Sequence, residues 1–168
     1  MPSKSPTVCN WIPSSITEER LKEFFIVGFL PSKNVMSYHS PDPEEERPNP
    51  KDGEVIIFTD HMNRGFSPPG SKFVRDVLHF FKLHHQDLGT NSISNICNFQ
   101  VLCEAYLQQD PTIELFREYF YLNRQNECTN GSSLELGGIS IQRRQGAVFP
   151  LIVLPSHPKD WNQTWFYC

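Results

Sequence analysis

The sequence Asn91–Leu122, NSISNICNFQVLCEAYLQQDPTIELFREYFYL, carries the clearest pattern of secondary structure in the chain. Ile93, Ile96 and Cys97 have the spacing of one face of an amphipathic helix. Asp110-Pro111 is typical of a second helix start, with a capping carboxylate followed by Pro in the first turn. The break between the two helices is too short for anything but an αα-corner or hairpin. We therefore expect a helical hairpin at the centre of the fold.

Further helices and strands are predicted on both sides of this hairpin. Ser15-Ile-Thr-Glu18 matches a capping box, and Ser71 caps another helix that is rich in Phe. Glu54–Thr59 has the β-branched and aromatic composition of a buried strand. Gly138–Arg143 and Val148–Leu154 predict a hairpin, although Pro150 confines its second strand to a sheet edge or a bulge. The expected fold class is α+β, with about four helices around the central helical hairpin and a small antiparallel β-hairpin sheet, to which Glu54–Thr59 can add a strand.

Composition limits the size and charge of the protein. The chain has 168 residues, and its 38% hydrophobic content, with 13 Phe, is enough for a packed core. We expect a loose polar tail at 1–10 and a single domain at 11–168. Within that domain, 40–53 forms a Pro-rich acidic loop whose Glu44-Glu45-Glu46 run is predicted to be solvated. A net charge of −4 argues against tight non-specific binding of nucleic acid, which depends on clustered Lys and Arg.

The cysteines and the first residues predict where the protein acts. The count of five Cys is odd, and no Cys-x-x-Cys pair occurs. The N-terminus has no apolar segment typical of a signal peptide, and no run approaches the ~18 apolar residues of a membrane span. We therefore expect an intracellular protein with reduced thiols and without membrane partners, in either the cytoplasm or the nucleus. The glycosylation motifs at Asn130 and Asn162 are then chance matches.

The histidines and cysteines of the sequence suggest a metal site. His79, His84 and His85 precede Cys97 and Cys103, and all are residue types that bind zinc. On one helix, however, the two cysteines are about 120° apart, which is poor for joint coordination. Cysteines at such positions are usually small core residues. We predict no metal and no cofactor.

Catalytic motifs are also missing from the sequence. Cys103 as a nucleophile and Glu104 as a general acid or base are conceivable, but neither has an evident partner. The chain has no phosphate-binding loop, no Gly-x-Ser-x-Gly elbow and no dinucleotide-binding glycine motif. Nothing around Asp60, Asp76 or Asp110 favours a nuclease triad. We predict that the protein is not an enzyme.

Nucleic-acid binding is the alternative that retains some support. Arg143 and Arg144 could contact phosphates, and Trp161, Trp165 and Tyr167 could stack on bases. The competing interpretation is a core closed by the last aromatic residues together with two ordinary turn arginines. The acidic balance of the chain favours that second interpretation.

A series of short motifs gives the sequence a family resemblance. In order, the chain carries Trp11, Gly53-Glu54, Arg64-Gly65-Phe66, Asn91-Ser92-Ile93, Leu102-Cys103-Glu104-Ala105, Pro111, Leu115-Phe116, Phe120, Gly137-Gly138 and Trp165-Phe166-Tyr167. In these motifs and their order it resembles the putative gypsy-type transposon domain of plant retrotransposon-derived proteins. The resemblance covers nearly the whole chain after residue 10. The chain departs from the pattern at Thr90, where Pro is frequent, and at Gln108-Gln109, where a Gly is common.

The resemblance implies a function in a transposable element but no specific activity. It implies a capsid-like or otherwise non-catalytic protein that works through protein contacts such as self-association. A nucleic-acid-binding domain is the alternative, and a transposase or nuclease is a third. The resemblance transfers no catalytic or metal residues. Family members continue beyond the Trp-Phe-Tyr motif, so the resemblance also implies that the chain is a fragment or a degenerate copy.

Overall fold

The computed structural model describes residues 11–124, 136–150, 153–154, 156 and 160–168. Its helices and strands are α1 (Glu18–Ile26), β1 (Ile56–Phe58), α2 (Thr59–Met62), α3 (Lys72–Phe81), α4 (Thr90–Val101), α5 (Ile113–Tyr119), β2 (Phe120–Arg124), β3 (Ile139–Arg143) and β4 (Trp165–Tyr167). The strands form two antiparallel pairs, β1 with β4 and β2 with β3. The predicted α+β class is confirmed.

The chain divides into two compact units. We call Trp11–Asp60 with Pro158–Cys168 the terminal unit, and His61–His157 the central unit. None of the described helices combines the length and the apolarity that a membrane crossing requires.

The terminal unit is built on the pairing of β1 with β4. Ile57 lies opposite Phe166, and every side chain of both strands is buried. The Trp11 ring stacks on Phe58 with their centroids 6.0 Å apart. The predicted strand is therefore confirmed, but the sheet proposed for it was wrong. Two short strands that are apolar at every position bury more surface by pairing with each other than at the edge of a half-exposed hairpin.

Helix α1 begins two residues later than the capping box predicts. Its N-cap is Thr17, whose hydroxyl accepts a hydrogen bond from the Arg20 N–H at 3.3 Å. Ser15 instead donates through both its backbone N–H and its hydroxyl to the carbonyl of Gln163. The Glu18 carboxylate accepts from the Ser40 N–H at 2.8 Å. The predicted capping box was wrong because both of its side chains are used in tertiary contacts.

The loop at 40–53 is held to the rest of the terminal unit. Glu44 and Glu46 are exposed, as predicted, but Glu45 is half-buried. Its carboxylate accepts hydrogen bonds from the Asn49 N–H at 2.8 Å and from the Tyr167 hydroxyl. That hydroxyl also accepts from the Asn49 N–H at 2.8 Å. Glu45 therefore holds the loop in place as a hydrogen-bond acceptor. The prediction that all three acidic residues are solvated was wrong at this position.

The central unit contains the predicted pair of helices, with different limits. Ser71 caps α3 as expected, since its hydroxyl accepts from the Val74 N–H at 3.2 Å. Helix α4 continues into a π-helical turn, Leu102–Leu107, which ends where Gln108 takes a left-handed conformation with φ of 52°. Helix α5 begins after Thr112, not at Asp110-Pro111, because the Thr112 hydroxyl accepts from the Leu115 N–H at 3.2 Å.

The sheet of the central unit differs from the predicted hairpin. The predicted helix ends at Tyr119, and Phe120–Arg124 forms β2, which pairs with β3. Residues 148–150 of the proposed second strand form no regular structure, and 151–152 lie outside the described residues. Phe120 is buried and Tyr121 is exposed, which is the alternation of a strand with one buried face.

Aromatic rings fill the core between these elements. Phe116 stacks on Phe120 at 4.8 Å, and Phe99 meets Phe116 edge-on at 5.1 Å. The ring centroids of Phe73 and Phe149 lie 5.4 Å and 6.2 Å from that of Phe99. Residues from α3, α4, α5 and β2 therefore share one cluster, which contains five of the 13 Phe residues of the chain.

Candidate functional site

The Arg64-Gly65-Phe66 turn packs against the residues that surround α4. The Arg64 guanidinium donates to Asn91 Oδ1 at 3.3 Å. Gly65 has φ of 96°, and a Cβ placed there would lie 3.1 Å from the Cβ of Cys97. The Phe66 ring stacks on His85 with their planes 6° apart and their centroids at 5.4 Å. The motif therefore positions the start of α4, and Gly is needed where the backbone approaches the helix.

Polar side chains of α4 take the place of a neighbouring strand along β3. The Ser92 hydroxyl accepts from the Ile141 N–H at 2.9 Å, and the Asn95 amide donates to the Ile141 carbonyl at 2.9 Å. The Gly89 N–H adds a bond of 3.2 Å to the carbonyl of Ile139. One edge of β3 is thus satisfied by a helix, and edges covered in this way do not pair with other chains.

A partly open cavity of about 390 Å³ lies beside this edge. The buried rings of Phe120 and Phe149 contribute to its apolar wall. Asn91, Asn95 and Arg143 contribute polar groups to it. Its described lining contains no carboxylate. The cavity therefore combines an apolar wall with amide groups and one cation.

The two arginines proposed for nucleic-acid contact point to different partners. Arg143 lines the cavity and donates from Nη1 to the Phe149 carbonyl at 3.3 Å. Arg144 donates from Nε to the Arg117 carbonyl at 2.7 Å, and its guanidinium lies 5.9 Å from the centre of the Tyr121 ring. The structure therefore does not join the two residues into one basic stripe.

The Leu102-Cys103-Glu104 motif forms the π-helical turn. Cys103 is fully buried, and burial together with the nearby Glu104 charge raises the pKa of its thiol. A thiol with a raised pKa is a poor nucleophile at neutral pH. The exposed Glu104 accepts a hydrogen bond from Gln100 at 2.8 Å. Pro111 precedes the Thr112 cap of α5 and is half-buried.

The remaining motif residues belong to buried cores. Phe116 is buried in the aromatic cluster of the central unit. Trp165, Phe166 and Tyr167 are buried in the terminal unit, where Trp165 Nε1 donates to the carbonyl of Ile12 at 2.9 Å. Burial of these aromatic rings leaves them no open face for stacking on bases.

The described residues contain no group of three or more His, Cys, Asp or Glu side chains that could hold a metal ion. Cys97 packs against Gly65, and burial raises the pKa of its thiol to about 11. His85 is buried against Phe66. The position of Cys97 fits the predicted role of the cysteines as small core residues.

Asn95 and Ser140 both line the cavity, and neither was predicted as a site residue from the sequence. A signal for Asn95 was present. Asn91, Ser92 and Asn95 are polar at i, i+1 and i+4, so they share one side of the helix. Polar residues grouped on a helix face that is also buried indicate that this face meets backbone groups.

The described fold and its motif contacts define a small α+β protein. Residues 55–124 match the model of the family described as "Putative gypsy type transposon". The predicted resemblance is confirmed over this segment, which includes the Arg64-Gly65-Phe66 turn, α4, the π-helical turn and α5. No curated protein and no solved structure matches the chain.

Proposed function

We propose that this transposon-related chain is a non-enzymatic domain that acts through protein–protein contacts, with self-association as the contact to test first. A capsid-like assembly is the extended form of this proposal. The proposal also places the chain inside the cell. The free thiols of Cys97, Cys103 and Cys168 are compatible with a reducing compartment.

The exposed apolar surface of the π-helical turn carries this proposal. Val101 is 53% exposed, Tyr106 76% and Leu107 53%. Because π-helical hydrogen bonds join residues i and i+5, Tyr106 lies one turn beyond Val101. Large apolar side chains grouped on an exposed helical turn are typical of surfaces that bind another protein. We call Val101, Tyr106 and Leu107 the π-turn patch.

The experiment measures the mass of the purified chain in solution over a range of concentrations by multi-angle light scattering. We expect the mass to rise with concentration, and we expect a double variant, Tyr106→Ser with Leu107→Ser, to remain a monomer. Val148→Ser is the matched control, because Val148 is 94% exposed and lies outside the patch. A wild-type chain that stays monomeric at the highest concentration would eliminate self-association.

The two alternative functions have less support. A nucleic-acid-binding groove would need several cations in line, whereas Arg143 and Arg144 contact different groups. A nuclease would need converging carboxylates for its metal ions, and the described residues hold no metal-binding group of three or more His, Cys, Asp or Glu side chains.

A further inference from the structure

We propose that the cavity between α4 and β3 binds a nucleotide, with the phosphate at Arg143 and the edge of the base at the side-chain amides of Asn91 and Asn95. The cavity volume of about 390 Å³ falls within the range of roughly 300–1,000 Å³ that is usual for small-molecule sites. This inference does not depend on the π-turn patch, which involves different residues.

The charge of the cavity favours an anion. The chain has 19 acidic residues and a net charge of −4, yet the only charged side chain in the described lining is Arg143. The hydrogen bond from its Nη1 to the Phe149 carbonyl holds the guanidinium at the cavity. Its other N–H groups have no partner among the described residues, so they are available to phosphate oxygens, which guanidinium groups bind with paired hydrogen bonds.

The amide groups favour a base beside that anion. Asn95 uses its Nδ2 on the Ile141 carbonyl, so its Oδ1 remains as an acceptor. Asn91 uses its Oδ1 on Arg64, so its Nδ2 remains as a donor. A donor and an acceptor on one wall are what the edge of an adenine or cytosine requires.

The apolar wall closes the cavity behind the base. Phe120 and Phe149 belong to that wall, but both are buried, so their ring faces pack in the core and do not stack on the ligand. Recognition of the base therefore depends on the Asn91 and Asn95 amides. The nucleotide can come from two sources, a free mononucleotide or one residue of a single strand, and both present the same phosphate and base.

The test is isothermal titration calorimetry of the full chain with adenosine monophosphate and, separately, with a short single-stranded oligodeoxyadenosine. We expect at least one of the two to bind. Arg143→Ala should weaken that binding by ~10-fold or more, since a charge-assisted hydrogen bond is lost. Arg144→Ala is the matched control and should leave affinity unchanged, because Arg144 does not line the cavity. Binding of the strand alone would identify the strand as the source.

A second variant tests the cavity without removing the arginine. Ser140 is half-buried and lines the cavity, so Ser140→Asp places a negative charge inside it. We expect this variant to lose binding while its circular dichroism spectrum stays that of the wild type. The proposal is overturned if neither probe binds at millimolar concentration, if Arg144→Ala weakens binding as much as Arg143→Ala, or if a folded Ser140→Asp chain binds normally.

Discussion

Asn95 lies on a helix, yet its side-chain amide donates a hydrogen bond of 2.9 Å to the Ile141 carbonyl of strand β3. The hydroxyl of Ser92, one turn earlier on α4, accepts a hydrogen bond from the backbone N–H of Ile141 at 2.9 Å. Together the two side chains satisfy the backbone of Ile141 as a third strand would. This arrangement joins α4 to the small sheet and forms one side of the cavity.

Ser92→Ala should destabilise the chain by about 1–3 kcal/mol, because the buried N–H of Ile141 would lose its acceptor. Ser94→Ala is the control. Ser94 is also buried on α4, but among the described residues its hydroxyl bonds only to the Thr90 carbonyl of its own helix, at 3.5 Å. Because removing this long bond leaves no buried backbone N–H without an acceptor, we expect the control to cost less than about 1 kcal/mol. Urea unfolding followed by circular dichroism measures both, and equal effects would contradict the strand-like role of Ser92.

Gly65→Ala should destabilise the chain more than Gly146→Ala. Both glycines have positive φ, of 96° and 80°, so each substitution adds backbone strain of about 1–2 kcal/mol. Only the Cβ at position 65 would meet another atom, the Cβ of Cys97 at 3.1 Å, whereas nothing lies within 4 Å at Gly146. We expect a further ~1 kcal/mol at Gly65 from this contact. The denaturant midpoints of the two variants measure this difference in stability. Equal midpoints would show that α4 moves aside freely to make room for the added Cβ.

The sequence predicted the α+β class and the existence of most elements, since those depend on local patterns. Ser71 caps α3 as predicted, since its hydroxyl donates to Gln100 and still accepts from the Val74 N–H. Ser15 fits a local capping pattern equally well, but its N–H donates to Gln163, and the Glu18 carboxylate that the pattern pairs with this N–H accepts from Ser40. A capping pattern predicts a helix start only when distant residues leave free the particular donors and acceptors that the cap uses.

Strand partners could not be predicted because pairing depends on distant residues. Phe120 follows Phe116 by four residues, which is the spacing of one face of a helix. The backbone nevertheless becomes extended at Phe120, which pairs with Arg143 of β3. The cavity was equally inaccessible to sequence reasoning. It forms where Asn95 on α4 meets Ser140 on β3, and no local motif relates these two positions.

Tyr167→Phe should loosen the loop at 40–53. Its hydroxyl accepts from the Asn49 N–H at 2.8 Å and donates to Glu45. Burial and the neighbouring Glu45 raise the pKa of this hydroxyl, so it remains a donor at neutral pH. We expect faster hydrogen exchange at the Asn49 amide and a loss of about 1 kcal/mol. Tyr38→Phe is the control, since its hydroxyl bonds to the Pro31 carbonyl instead. If Asn49 exchanges equally in both variants, Tyr167 does not anchor the loop.

The contact of His39 with Glu54, with Nε2 and Oε1 3.0 Å apart, should make stability depend on pH. Burial lowers the pKa of His39, but the hydrogen bonds to Glu54 and to the Ser40 carbonyl outweigh it, so the pKa is raised. Two hydrogen bonds lower the pKa of Glu54. The one from the Lys51 N–H has the larger effect, and the one from His39 has the smaller. The His39 contribution is complete below the unfolded pKa of about 6.5 and is lost as pH rises through the folded value.

The Glu54 contribution has the opposite direction, since it is present above the unfolded pKa of about 4.5 and is lost as pH falls through the folded value. The pair should therefore stabilise the terminal unit most between about pH 4.5 and 6.5. We expect the wild type to exceed His39→Gln in melting temperature near pH 6 and the difference to shrink by pH 8. Because the His39 side chain is 40% exposed, the effect should be small and should weaken with added salt. A difference that stays the same from pH 6 to pH 8 would show that His39 stabilises the fold through packing and not through its charge.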